Sequence, residues 1–207
     1  MSEEGILRLS EIGRRLNLTA GAAHLPYLYF MTDPVRTPDP VQIAERLPRG
    51  TAVILRHYDT PERYTLAKHL KRVCQERSLI LIIAGDARLA DIVAADGLHL
   101  PEWAIKRPQP GHRRWIRMKN RISTAAVHSM AAVHKAHRMG VDAVLASPIF
   151  TTDSHPNQTP TGVFGFALQS RPSLVPIIAL GGITVVTAPR LIGTSCAGIA
   201  AVGALSE

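Results

Sequence analysis

The chain has 207 residues, 46% hydrophobic and 19% charged, which excludes a disordered polymer and leaves room for a sizeable core. Its net charge is +8, but Lys106 to Arg121 alone carries seven basic residues and no acidic one, so the excess is local and the protein is not a general polycation. Two cysteines, Cys74 and Cys196, are too few for a disulfide scaffold, and no apolar run approaches a secretory leader or a membrane span, so a cytoplasmic protein without membrane contact is expected.

Residues 1–25 read as a helical extension. Ile6, Leu9, Ile12 and Leu16 recur at helical spacing among charges and predict an amphipathic helix over 6–18. A first strand comes next at 26–33, closed by Asp33-Pro34. A short helix is predicted over 39–46 and a second strand over 51–57. Thr60 and Pro61 read as the N-cap and first position of a helix running to about residue 77. The alternation continues with strands over 79–84, 97–100, 122–127, 142–147, 176–180 and 198–202. Helices are predicted between them over 86–94, 129–139, 164–170 and 184–192. The basic segment, broken by Pro108, Pro110 and Gly111, is expected to be partly loop, as are residues 148–162.

Eight strand units of about 26 residues, with no linker between them, predict a single (β/α)8 barrel (a TIM barrel) over 1–207. An open doubly wound sheet is the alternative. The final helix is missing or truncated, because only Ser206 and Glu207 come after the last strand turn. The helix at 6–18 is therefore expected to cover strands one and eight, on this chain or on a symmetry mate in a homodimer.

In such a barrel the chemistry sits at the C-terminal ends of the strands. Gly181-Gly182 and Gly203-Ala204 end the last two strands, and paired glycine turns there suit backbone contact with a phosphate. Arg56 ends strand two and suits an anionic ligand, or else an ion pair with Asp33 or Asp59. His128 ends strand five and suits proton transfer; His99 ends strand four in the same way. No histidine pair has zinc spacing. The basic segment, with Trp115 its one aromatic, reads as a solvated face and not as a nucleic-acid site.

The order of YLYFMTDP at Tyr27 to Pro34, AADGLHL at Ala94 to Leu100, VHSMAAVHKAHRMGVDAVLASPIFTT at Val127 to Thr152, PIIALGGIT from Pro176 and AAVGAL at the end resembles the thiamine phosphate synthase and TenI superfamily. The resemblance implies one of two activities. Synthases are Mg2+-dependent transferases that join a thiazole phosphate to a hydroxymethylpyrimidine diphosphate. TenI-like tautomerases are isomerases that move a proton on a thiazole carboxylate phosphate without metal, using a His after strand five. Both imply the thiazole phosphate bound at Gly181, Gly182, Gly203 and Ala204.

Against the synthase pattern, Arg56, Thr152 and Ser154 are kept. The Gln and Lys positions around Arg56 are Ile54 and Tyr58, and the Asn-Asp pair after strand three reads Ala84-Gly85, with Asp86 one residue late. The second magnesium carboxylate falls at Ala104, with Glu102 the nearest substitute; His155 replaces a Lys and Ala126 a Ser. A departing diphosphate needs those cations. The expectation is therefore a TenI-like enzyme of thiamine biosynthesis with His128 as acid/base, no metal and no cofactor. A divergent synthase using Mg2+ at Asp86 and Glu102 is the alternative, and an inactive ligand-binding barrel a third reading. The expected partner is a small phosphorylated thiazole, with no nucleic acid and no membrane.

Overall fold

The computed structural model describes residues 2–152, 159–171 and 173–205. Eight parallel strands close into a barrel in chain order: β1 (Leu28–Met31), β2 (Ala52–Leu55), β3 (Ile80–Ala84), β4 (Gly97–Leu100), β5 (Ile122–Val127), β6 (Ala143–Ala146), β7 (Ile177–Leu180) and β8 (Cys196–Ala201). The ring closes where Leu28 pairs with Ile199 and Phe30 with Ala201. That closure excludes the open sheet.

Alternation along each strand divides the core in two. Tyr29, Met31, Ile54, Ile82, Leu145 and Ile178 fill the barrel interior. Leu28, Phe30, Leu55, Leu81, Ile83 and Ile177 pack outward against the helices. Both faces are buried, which is why the strands read as unbroken apolar runs.

The helices are α1 (Glu3–Thr19), α2 (Pro40–Ala44), α3 (Arg63–Arg77), α4 (Ala87–Ile92), α5 (Glu102–Lys106), α6 (Pro110–Ile116), α7 (Met130–Met139) and α8 (Gly162–Ser170). Ser2 caps α1 by accepting from the Gly5 N–H. Ile6, Leu9 and Leu16 are buried and Ile12 packs partly buried against the same core. The helix lies on this chain's own β8–β1 seam, as one branch of the expectation had it. A Cβ on Gly13 would stand 2.7 Å from the Tyr27 carbonyl oxygen and 3.3 Å from Ile199 Cγ1, so glycine there sets how closely the helix approaches. Asn17 Nδ2 donates to the carbonyls of Ala22 and Ala197, both at 2.9 Å, tying the helix end to β8. After β8 the described chain ends in a 3-10 turn at Gly203–Leu205.

The basic segment is partly loop, as expected, over 107–109 and 117–121, while Pro110 sits at the first position of α6, where a missing N–H costs nothing. Its Trp115 is buried and donates to Asp91 Oδ1 at 2.9 Å, while Arg113, Arg117 and Lys119 face solvent. Two local expectations are corrected. Thr60 does not cap α3, which starts at Arg63 after an uncapped Glu62. The helix expected over 184–192 is only a 3-10 turn, Ala188–Leu191, because Thr184 and Thr187 hydrogen-bond each other's backbone and hydroxyls ahead of it.

Both cysteines are buried free thiols, and burial pushes Cys74 up to about 12 and Cys196 up to about 11. Among the described residues no helix is long and apolar enough to cross a membrane.

Candidate functional site

A cavity of about 500 Å3 opens at the C-terminal end of the barrel. Arg56, Thr152, Gly181, Gly182, Gly203 and Ala204 all line it, so the structure brings six of the expected ligand residues to one place. Ser154 lies outside the described residues.

The glycines there do different work. Gly181 and Gly182 hold φ of +92° and +64°. A Cβ on Gly182 would fall 2.4 Å from the Thr151 carbonyl oxygen, and one on Gly181 2.9 Å from Pro148 Cα. These glycines let the loop after β6 lie directly on the β7 turn, where Phe150 N donates to the Gly181 carbonyl at 3.0 Å. Gly203 has ordinary φ, and nothing stands within 4 Å of where its Cβ would be. Its missing side chain leaves open space at the cavity wall.

The charged lining is Asp33, Arg36 and Arg56. Asp33 pairs with Arg36 at 2.9 Å, not with Arg56. That guanidinium holds the Asp33 carboxyl down at about 2, well below the usual carboxylate range. Arg56 is half-buried, and its backbone N–H donates to Thr32 Oγ1 at 2.9 Å. The expected alternative for Arg56, an ion pair with Asp33 or Asp59, does not form among the described residues. One carboxylate faces two guanidiniums, so the cavity favours an anion.

His128, the expected acid/base, is exposed and does not itself line the cavity. Its Nδ1 lies 2.7 Å from the carbonyl oxygen of Ser147, which lines the cavity. A carbonyl only accepts, so Nδ1 is the donor in this contact. Nε2 is 4.0 Å from Glu102 Oε2. His99 is buried, with Nδ1 2.9 Å from Thr124 Oγ1. Burial, helped by Arg56, pushes its pKa down to about 3 and keeps it neutral.

The candidate metal carboxylates are otherwise engaged. Asp86 Oδ1 caps α4 by accepting from Leu89 N at 2.8 Å, and Oδ2 faces Arg63 Nη1 at 3.6 Å. Glu102 faces Lys106 at 3.3 Å. No group of three His, Cys, Asp or Glu side chains among the described residues could hold a metal ion. Mg2+ characteristically takes one or two carboxylates together with substrate phosphates and waters, so Asp86 and Glu102 would have to leave these partners to hold one.

The other half of the mouth is filled. The Tyr58 ring lies 5.4 Å from the Arg63 guanidinium carbon and 3.3 Å from where a Gly85 Cβ would be. Arg63 Nη2 donates to the Ala84 carbonyl at 2.6 Å, anchoring that side. Sequence reasoning noted Tyr58 at the end of strand two and as a lost Lys, placed Ser147 at the end of strand six, and missed Arg36 as a cavity residue. The signal for Arg36 was its position three residues after Asp33 in a turn at the end of a strand, a spacing at which an Asp caps and pairs.

Comparison with known proteins gives concordant results. The family model described as thiamine monophosphate synthase matches residues 28–205. The thiamine-phosphate synthase of Chlorobium limicola is 32% identical over 187 residues, 88% of this chain and 87% of that protein. The thiamine-phosphate synthase of Alcanivorax borkumensis is 29% identical, over 86% and 84% of the two chains. Among solved structures, thiamine phosphate pyrophosphorylase from Pyrococcus furiosus superposes with a TM-score of 0.71 at 26% identity, covering 87% of each chain.

Proposed function

We propose a function from one premise: this chain belongs to the thiamine monophosphate synthase family and is a thiamine phosphate synthase-like protein of thiamine biosynthesis. Within that family we read it as a cytoplasmic, TenI-like isomerase that binds a thiazole carboxylate phosphate and moves a proton on it. The observation that carries this reading is the combination of an anion-favouring cavity with carboxylates already engaged as a helix cap and salt-bridge partners. The phosphate lies against the turns at Gly181-Gly182 and Gly203-Ala204, and Arg56 offsets its charge. His128 Nε2 takes a proton from one ring position, and the resulting imidazolium returns it to another, so charge and atoms balance without a metal. Glu102, beside Nε2, stabilises the imidazolium while it exists.

The test is proton NMR of the thiazole carboxylate phosphate in D2O. Deuterium should enter the ligand with EDTA present, and His128→Asn should slow exchange by about two to four decades. No exchange, or an unchanged rate in the variant, ends this reading. The synthase reading keeps the support of the relatives' names, over matches that span 84% and 87% of those proteins. Mg2+-dependent pyrophosphate release from hydroxymethylpyrimidine diphosphate, lost in Asp86→Ala, would establish it instead.

A further inference from the structure

The fold brings a second arginine to the cavity that the family resemblance did not point to. Arg36 lines it alongside Arg56, and only about a third of its side chain is exposed. Its root is pinned. Asp33 N donates to Thr37 Oγ1 at 2.6 Å, and Thr37 N and Oγ1 both donate back to the Asp33 carbonyl at 2.8 Å. Thr37 is fully buried, so the turn over 33–37 is a fixed platform. Asp33 Oδ1 accepts the N–H groups of Val35 at 3.1 Å and Arg36 at 3.0 Å. The second oxygen, Oδ2, takes Arg36 Nη2 at 2.9 Å.

These two oxygens have separable jobs. Oδ1 shapes the turn, and a neutral amide oxygen could do the same. Oδ2 engages the guanidinium at the cavity wall, where an arriving oxyanion competes for the same donors. A guanidinium has five N–H donors in a fork that matches two oxygens of a phosphate or carboxylate.

We propose that Arg36 is a ligand-binding residue: an anion clamp on the strand-one side of the cavity, with Asp33 Oδ2 as its resting partner, that takes up an oxyanion group of the ligand. The identity of the natural ligand rests on the function proposed above; the clamp itself is testable with inorganic phosphate.

The experiment is calorimetric titration of the full chain with inorganic phosphate and, separately, with thiazole carboxylate phosphate. Arg36→Gln should weaken phosphate binding about tenfold or more, the loss of one charge-assisted contact. Arg36→Lys should recover only part of it, since an ammonium cannot fork. Asp33→Asn keeps the turn acceptor and removes the competing charge, so it should tighten phosphate binding a few-fold. Thermal melts establish that each variant folds; if Arg36→Gln does not, Arg36→Lys and Asp33→Asn decide. Wild-type affinity in a folded Arg36→Gln protein, or weaker binding in Asp33→Asn, overturns the clamp. Arg36-dependent phosphate binding without binding of the thiazole ligand would keep the clamp and remove the proposed substrate.

Discussion

The two halves of the barrel mouth are built from opposite materials. On the β6, β7, β8 and β1 side the turns are made of glycine, small residues and the Asp33–Arg36 ion pair, and they line a cavity. On the β2 to β4 side a tyrosine, a proline and an anchored arginine fill the space over Gly85, and the carboxylates serve as a helix cap and salt-bridge partners. The difference teaches that one end of a barrel can stay open over some strands while side chains pack over the others. It also makes the halves separable by mutation.

The largest expected effect is on the open side. Gly182→Ala puts a methyl group 2.4 Å from a backbone oxygen at a φ of +64°, and should cost about 3 kcal/mol or more while abolishing phosphate binding. Urea denaturation measures the first and calorimetry the second. A mild loss would mean that the β6 loop can lift off its turn.

Acid should expose the closed side next. His99 is neutral in the fold with a pKa of about 3, whereas in the unfolded chain it titrates near the ordinary value of about 6.5. The unfolded state therefore binds more protons below that pH. Stability should be full above about pH 6.5 and fall as pH drops toward 3, by up to about 1.4 kcal/mol per unit. Burial lowers His57 as well, so it adds in the same direction. Asp33, held at about 2, adds acid sensitivity only below about pH 4. Urea midpoints at pH 7 and pH 5 should differ, and His99→Asn should shrink the difference. An undiminished pH slope in that variant would place the sensitivity elsewhere.

Tyr58→Ala should cost about 1 kcal/mol, mainly its contact with Arg63, and leave phosphate affinity within about threefold. A larger drop in affinity would show that the halves are coupled through Arg56. Smallest of all, Gly203→Ala should change stability by less than about 0.5 kcal/mol, because nothing stands near its Cβ. Thermal melts and phosphate titration on that one variant would separate a ligand-facing glycine from the structural pair on β7.

Much of this was legible in the residues. Strands at 97–100 and 122–127 match β4 and β5 because Gly97, Pro101 and Ser129 punctuate short apolar runs sharply. The covering role of α1 could be read from its amphipathic face. Proline is read less easily, since Pro110 starts α6 inside a segment that is partly loop. Side-chain partnership was harder to read. Whether Asp33 would meet Arg56 or Arg36 depends on how a five-residue turn folds back on itself, and Thr37, a buried hydroxyl with no pattern around it, decides that. The same limit applies to Asp86, whose position after a strand suits a metal ligand and a helix cap equally well.

The tie between Asn17 and Ala197 spans 180 residues of chain. During synthesis the first helix emerges long before the strand it must cover. Its apolar face, and the open edge of β1, therefore wait for nearly the whole polypeptide before either can be buried. Closure of the ring rests on contacts between the two ends of the sequence, the non-local kind that slows folding in general and prolongs the exposure of apolar surface.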